Sequence, residues 1–304
     1  GTGLFVAKFV NILVSVCVSY LIYWTGKKMF NETAGRIAGI IFALWPAQIM
    51  YNSVLASEHI FMLFFAISIA VFVKIQFYME GTQRYIWPVV MGVSLALAHI
   101  IMPVSFILFP VLVVYLFLFA KNTPVKKAVI HKFATLLLIS AGFLVSMGIL
   151  NAAVFNLTGV SIWKSSSGFS MLVGTNQTSS GMYSTEDEKI IAEFKYDPNK
   201  VHKEAARRAI KRITSSPVGF VGLAEKKFII QWADEDFGIY WSVYKFAQGN
   251  SFGEWVKAKA RYFTLLTQIG YILILLFTVA GFLYSRKSGI YITAIPLLLF
   301  EAFV

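Results

Sequence analysis

The residue of this 304-residue sequence best placed to do chemistry is Glu58, in Ser57-Glu58-His59, between an apolar stretch ending near Met50 and another beginning near His59. A carboxylate at the edge of an apolar helix is costly unless it faces a cavity or a partner. A capping role competes with that reading, with Ser57 as the cap and Glu58 complementing the helix dipole. Lys164 follows Trp163 just beyond a long apolar run, where an ammonium meets a lipid phosphate or the headgroups. Gly174-Thr175-Asn176, with Gly181 after it, forms a turn whose N–H groups either cradle an anion or only build a loop. Asp234-Glu235-Asp236 follows Trp232; such a run suits a divalent cation, sugar hydroxyls or plain solvation. Lys8 and Lys74 lie near the ends of apolar runs and are long enough to snorkel. The histidines, His59, His99, His131 and His202, are scattered, and the one cysteine, Cys17, lies in an apolar run. That leaves no internal disulfide, and no metal site is assigned. No phosphate-binding loop, dinucleotide fingerprint or His-Glu-x-x-His motif is present.

The elements that must position these residues are membrane helices. Hydrophobic residues make up 58% of the chain and charged ones 14%, against about 45–50% and about 25% in soluble domains. A bilayer-crossing helix takes about 20 mostly apolar residues. The spacing predicts an all-α polytopic membrane protein of about eight spans. They cover Leu4 to Trp24, Ala34 to Met50 and His59 to Phe77, then Tyr85 to Ala120 as two spans split at Met102-Pro103. Phe133 to Phe155 and Tyr262 to Tyr284 follow, with a last span truncated after Ile290. Lys27, Lys28, Arg36, Arg84, Lys121, Lys126, Lys127, Lys132, Arg286 and Lys287 all fall on one side of this alternation, which reads as cytoplasmic. These loops account for part of the net charge of +12, so nucleic acid is not expected as a partner.

Residues 156–262 read as one long extracytoplasmic, partly helical loop, holding 11 of the 15 acidic residues. The expected domains are therefore a six-span module over 1–155, the loop over 156–262 and two further spans over 263–304. Within the loop, Ser165 to Ser184 reads as irregular. Asn199 to Ser215 reads as an amphipathic helix and Val218 to Trp232 as a second one, both suited to the membrane surface. The start at Gly-Thr-Gly and the stop inside an apolar run suggest a fragment cut at both ends.

Several features together resemble one family. Asn31-Glu32-Thr33-Ala34-Gly35-Arg36 precedes an Ala/Ile-rich span ending Trp45-Pro46, and Tyr51-Asn52-Ser53-Val54-Leu55-Ala56-Ser57-Glu58 follows. Later come Gly174-Thr175-Asn176 with Gly181, then an Ala-rich helix running into Ser216-Pro217, Lys226-Lys227 and Trp232. This pattern resembles the GT-C membrane glycosyltransferases, on the branch of bacterial relatives of protein O-mannosyltransferase and of lipid A aminoarabinose transferase. The resemblance implies an enzyme of the bacterial plasma membrane. It would move a hexose or pentose from a polyprenyl-phosphate carrier to an envelope acceptor (protein, lipid or glycan) by inverting displacement. The donor is that polyprenyl-phosphate-linked sugar; no further cofactor is required, and a divalent metal is left open. The resemblance puts the catalytic base upstream of Gly1 and Glu58 as the second acidic residue of the cavity. His59, Lys164, Gly174, Asn176, Asp234 and Asp236 are the candidate substrate-binding residues. The family often has Arg before the Pro of the fourth–fifth turn, where this chain has Met102-Pro103. The alternatives are a non-catalytic scaffold with a GT-C-like fold and a lipid or sugar transporter.

Overall fold

The computed structural model describes residues 2–77, 82–110, 112–113, 125–165, 168–233, 235, 237–245 and 251–285. Among these residues every regular element is helical. The long helices are α1 (Thr2–Met29), α4 (Glu58–Phe77), α5 (Gln83–Ile101), α6 (Val125–Thr158) and α12 (Ala260–Ser285). Shorter ones are α2 (Glu32–Ala43), α3 (Pro46–Tyr51), α7 (Gly168–Gly174), α8 (Thr185–Glu193), α9 (Pro198–Ser215), α10 (Pro217–Ala233) and α11 (Ser251–Ala258). Five stretches are long and apolar enough to cross a membrane: Gly3–Met29, Glu58–Ile75, Gln83–Ile101, Ile130–Thr158 and Ala260–Gly281.

The expected count of eight is therefore five among the described residues. The second expected span is the pair α2 and α3, broken at Leu44 and Trp45. Pro46 causes the break: it has no N–H for the ladder, and its fixed φ suits the first position of a new helix. The fifth expected span begins as a 3₁₀ turn, Pro103–Ile107, and mostly lies outside the described residues, as the eighth does entirely.

The chain forms two compact units, 1–146 with 235–304 and 147–234. In the first, α1 packs against α2 and α4, and α4 against α5. A Cβ on Gly35 would stand 2.5 Å from the Tyr23 carbonyl oxygen, so α1 and α2 touch backbone to backbone. Gly92 of α5 meets the Ile139 carbonyl of α6 in the same way. Small residues at such crossings let helices approach where no hydrophobic force joins them. Glu32 ties the α1–α2 corner: it accepts from the Tyr23 hydroxyl at 2.7 Å and pairs with Lys27 and with Arg36 Nε at 3.1 Å. The Lys27 ammonium first, then the Tyr23 hydroxyl, hold its carboxyl down at about 2. Residues 237–263 belong to this unit too; Ile239, Val243, Val256 and Ala260 form a buried cluster with Met50 and Phe263 beside it.

The second unit has its own core of Leu172, Ile190, Val201, Ala205 and Ala209. The apolar face of α9 is thus covered by α7 and α8 rather than by lipid, a correction to its expected place on the membrane surface. Asp197 caps α9, accepting from Asn199 N–H at 3.1 Å and Lys200 N–H at 3.3 Å. The buried Asp187 joins the pieces: it accepts from Asn176 Nδ2 at 2.7 Å and from Arg212 at 2.6 Å, while Arg212 also donates to the Leu172 carbonyl at 2.8 Å.

Candidate functional site

The turn from α3 to α4 presents Glu58, and two side chains fix its backbone. Asn11 Nδ2, from α1, donates to the carbonyls of Asn52 at 3.3 Å and Val54 at 2.9 Å. His59 Nε2 lies 3.2 Å from the Tyr51 carbonyl and 3.3 Å from that of Val54. Both neighbours are acceptors, so the ring proton sits on Nε2. His59 is fully buried, with its ring 5.0 Å from that of Tyr51, which in turn lies 5.6 Å from Phe237. His59, expected as a substrate contact, shapes this turn and has no open surface in the structure. Glu58 itself is half-buried at the first position of α4, bonded by the Tyr51 hydroxyl. Its carboxylate sits at the positive end of the α4 dipole.

On the other side of the same turn a cavity of about 790 Å³ runs between α1 and the α2–α3 pair. From Lys8 to Tyr23 it follows α1 for about 22 Å at 1.5 Å per residue. Its end near Asn52 is polar. There Ser15 Oγ donates to Asn52 Oδ1 at 2.6 Å, Gln48 Nε2 donates to Ser15 Oγ at 3.2 Å, and Lys8 and Ser53 complete the wall. Its middle is apolar, lined by Val16, Ile40, Phe42 and Ala43; its far end closes at Tyr23, Arg36 and Gly39. The helix break at Leu44 and Trp45 adjoins this space, as irregular backbone at membrane depth must line a cavity or be buried in protein. The shape is that of a slot for an amphiphile, with one cation and a group of amides and hydroxyls at one end and an apolar channel behind them.

Groove, turn and Glu58 all lie in the first part of the chain. Residues 1–146 match the dolichyl-phosphate-mannose-protein mannosyltransferase family, a GT-C type. Neither a curated protein nor a solved structure matches the chain. Over residues 1–146 the match agrees with the GT-C resemblance and points to a glycosyltransferase of that type. It ends where the first stretch of the membrane unit ends, so residues 147–234 lie outside it.

The other sequence-predicted residues fall in or beside the second unit. Asn176 is buried and fully engaged: Nδ2 donates to Asp187, while Oδ1 accepts from the N–H groups of Thr178 at 3.0 Å and Ser179 at 3.3 Å and from the Thr178 hydroxyl. The N–H groups of Ser180, Gly181 and Met182 also end on carbonyls within the turn. The turn thus keeps these donors for itself, and Asn176, expected as a substrate contact, builds the loop. The cation at this turn is Lys227 of α10: its stem crosses Gly181, and its Nζ comes within 3.5 Å of where a Cβ on Gly174 would stand. Gly181 has φ +75°, which favours glycine, and a side chain there would also strike the Lys227 stem. Gly174, Gly181 and Lys227, separate motifs in the sequence, therefore meet. Asp234, Asp236 and the Lys164 side chain lie outside the described residues. Among the described residues no group of three His, Cys, Asp or Glu side chains is placed to hold a metal ion.

Reading the sequence for chemistry passes over Asn11, Ser15, Gln48 and Asn52. Their one signal is the spacing of Asn11, Ser15 and Ser19 at four-residue steps, a polar line along one face of an otherwise apolar helix.

Proposed function

We propose that the chain moves a sugar from a polyprenyl-phosphate carrier to an extracytoplasmic envelope acceptor by inverting displacement, in a bacterial plasma membrane. The observation that carries this reading is the juxtaposition, within the matched residues, of an amphiphile-shaped groove with a turn that presents a carboxylate. In this reading the carrier chain lies along Val16, Ile40 and Phe42, and its phosphate faces Lys8 at the Asn52 end, where an ammonium stabilises the charge that grows on the leaving phosphate. Asn52 and Ser53 offer hydrogen bonds to the same headgroup. Glu58, oriented by Tyr51, holds a hydroxyl of the sugar or the acceptor. Asn11 and His59 keep the turn that spaces Glu58 from the groove. The Lys27–Glu32–Arg36 corner is then the cytoplasmic end, in line with the positive loops.

The test is release of labelled sugar from undecaprenyl-phosphate donors by the full-length protein, in detergent with an envelope acceptor fraction. Acceptor-dependent release is expected, lowered at least tenfold in Glu58→Ala, with a raised KM for the donor in Lys8→Ala. Unchanged turnover in Glu58→Ala, from protein of unchanged elution profile, removes Glu58 from the site. No release with any donor tested refutes the transferase reading.

A further inference from the structure

The second unit exposes one apolar stripe that its own core does not use. Along α10, Val218 is 86% exposed, Val221 66%, Phe228 50% and Ile229 60%. At 3.6 residues per turn these four, with Gly222 and Trp232, fall within an arc of about 120°. A Cβ on Gly222 would meet only open space. The opposite side of the helix faces the unit: Leu223 is buried, and Lys227 lies across the Gly174–Gly181 turn. So α9 and α10 are joined by a single residue, Ser216, yet α9 buries its apolar face within the unit and α10 turns its own outward. An apolar stripe of this kind, interrupted by Glu225, marks an interaction surface.

The chain itself indicates what covers it. The unit is entered from α6, whose apolar stretch Ile130–Thr158 is long enough to cross a membrane. At the other end α10 stops at Ala233, and the N–H of Glu235 donates to Gln268 Oε1 at 3.0 Å. Gln268 lies within the apolar stretch Ala260–Gly281 of α12. Residue 235 belongs to the membrane unit, so the second unit is joined at both ends to chain that is long and apolar enough to cross a membrane. Trp232, at that end of the stripe, is the residue type that settles at the lipid–water boundary. Glu225 falls in the same arc, halfway along. An ionised carboxylate stays out of hydrocarbon, which sets the helix at headgroup depth with only its longer apolar side chains reaching past.

We infer that α10 is an interfacial helix whose Val218, Val221, Phe228 and Ile229 face seats in the bilayer surface. A helix is about 10–12 Å across, so this seating holds Lys227 and the Gly174–Gly181 turn one helix diameter above the hydrocarbon. The inference uses the membrane character of the chain and does not rest on the glycosyltransferase reading.

The test uses full-length protein in vesicles of phosphatidylethanolamine and phosphatidylglycerol, three to one. Cys17, the single cysteine, is replaced in Cys17→Ser, and one new cysteine is placed by Val221→Cys or Ile229→Cys, with Lys211→Cys on the solvated side of α9 as the reference. Each is labelled with a small fluorophore, then quenched separately by nitroxide-bearing lipid and by aqueous iodide. The expected result is at least threefold stronger lipid quenching at 221 and 229 than at 211, with iodide quenching reduced by a similar factor. Iodide quenching equal to that at 211 overturns the inference, because the stripe then faces water. Protection from both quenchers also overturns it, because the stripe is then covered by protein, a second copy or another chain. All three positions are exposed, and a shared elution profile confirms that the labelled variants fold alike.

Discussion

The two units invert each other's rules about what belongs inside. In the membrane unit, Leu4, Phe5, Phe9 and Leu13 of α1 point outward, while Asn11, His59, Ser68 and Ser94 are buried. Their polar groups end on backbone carbonyls: Asn11 on Asn52 and Val54, His59 on Tyr51 and Val54, Ser68 and Ser94 on Phe64. In the second unit Leu172, Ile190 and Val201 are inside and the charges are paired at or near the surface, Glu204 with Arg207 and Arg208, and Arg208 with Glu193. The difference follows from the solvent. In hydrocarbon an apolar side chain gains nothing by burial, so polar satisfaction and close backbone contact hold the helices. In water burial of apolar area drives packing. By this contrast the exposed stripe of α10 follows the first rule and its opposite face the second.

Cutting the buried carboxylate of the second unit should have the largest effect. Asp187→Ala leaves Arg212 and Asn176 without their partner, and breaking a buried pair in this way costs roughly 3 kcal/mol. Rapid protease cleavage within residues 147–234, with the membrane helices still resistant, is the expected outcome in detergent. Equal protease resistance would mean that Leu172, Ile190 and α9 hold the unit without the ion pair.

The membrane unit should be most sensitive to added volume at its helix crossings. A Cβ on Gly142 of α6 would stand 2.6 Å from the Val89 carbonyl oxygen, whereas one on Gly148, six residues on, would have open space. Gly142→Leu is expected to destabilise by about 1–3 kcal/mol, the usual range for overpacking, and Gly148→Leu to be neutral or better. Thermal aggregation of the two variants in detergent separates them. A shared midpoint would deny that close backbone contact holds α5 to α6.

A smaller loss follows from freeing the turn. His59→Leu keeps the volume near that of the ring and removes the donor, leaving the Tyr51 and Val54 carbonyls short of one bond, at about 1–3 kcal/mol for unsatisfied buried groups. Asn11 still holds Val54, so the helices should stay assembled while residues 52–57 become open to proteases. An unchanged cleavage pattern would assign the turn to Asn11 alone.

Much of this architecture was legible in the residues. Hydropathy alone locates α1, α4, α5, α6 and α12, and Pro198, Ser216 and Pro217 bracket α9 and α10 in the order that helix ends require. Periodicity finds the apolar face of α9 more clearly than that of α10, and within the second unit only the face of α9 is covered. Period says which side is apolar and is silent on what covers it. The break at Trp45-Pro46 reads as the end of a span, because the α3 turn behind it is too short to register as helix. The groove is harder still: Ser15 and Asn52 are 37 residues apart, and nothing in either run announces that their side chains meet. Of the site, Glu58 stands out as a lone carboxylate, but the Asn11 and His59 pins appear only when the carbonyls they serve are located.

The gentlest way to probe the contrast is pH, since the ion pairs of the second unit titrate in water. The guanidinium of Arg207 first, then that of Arg208, hold the Glu204 carboxyl down at about 2, below its ordinary value of 4.5. Its folded value is depressed, so its contribution is complete above 4.5, declines below that and is gone once pH passes through about 2. The Arg207 and Arg208 contacts to Glu204 are open to solvent on the arginine side, so the contribution is small. From pH 7 to 5 the protease resistance of residues 147–234 should stay flat, then weaken towards pH 3, with Glu204→Gln weakening less over that lower range because only the other paired carboxylates remain to titrate. Resistance that already falls between pH 7 and 5 would point to a group other than Glu204, since a depressed carboxylate has nothing to lose in that window.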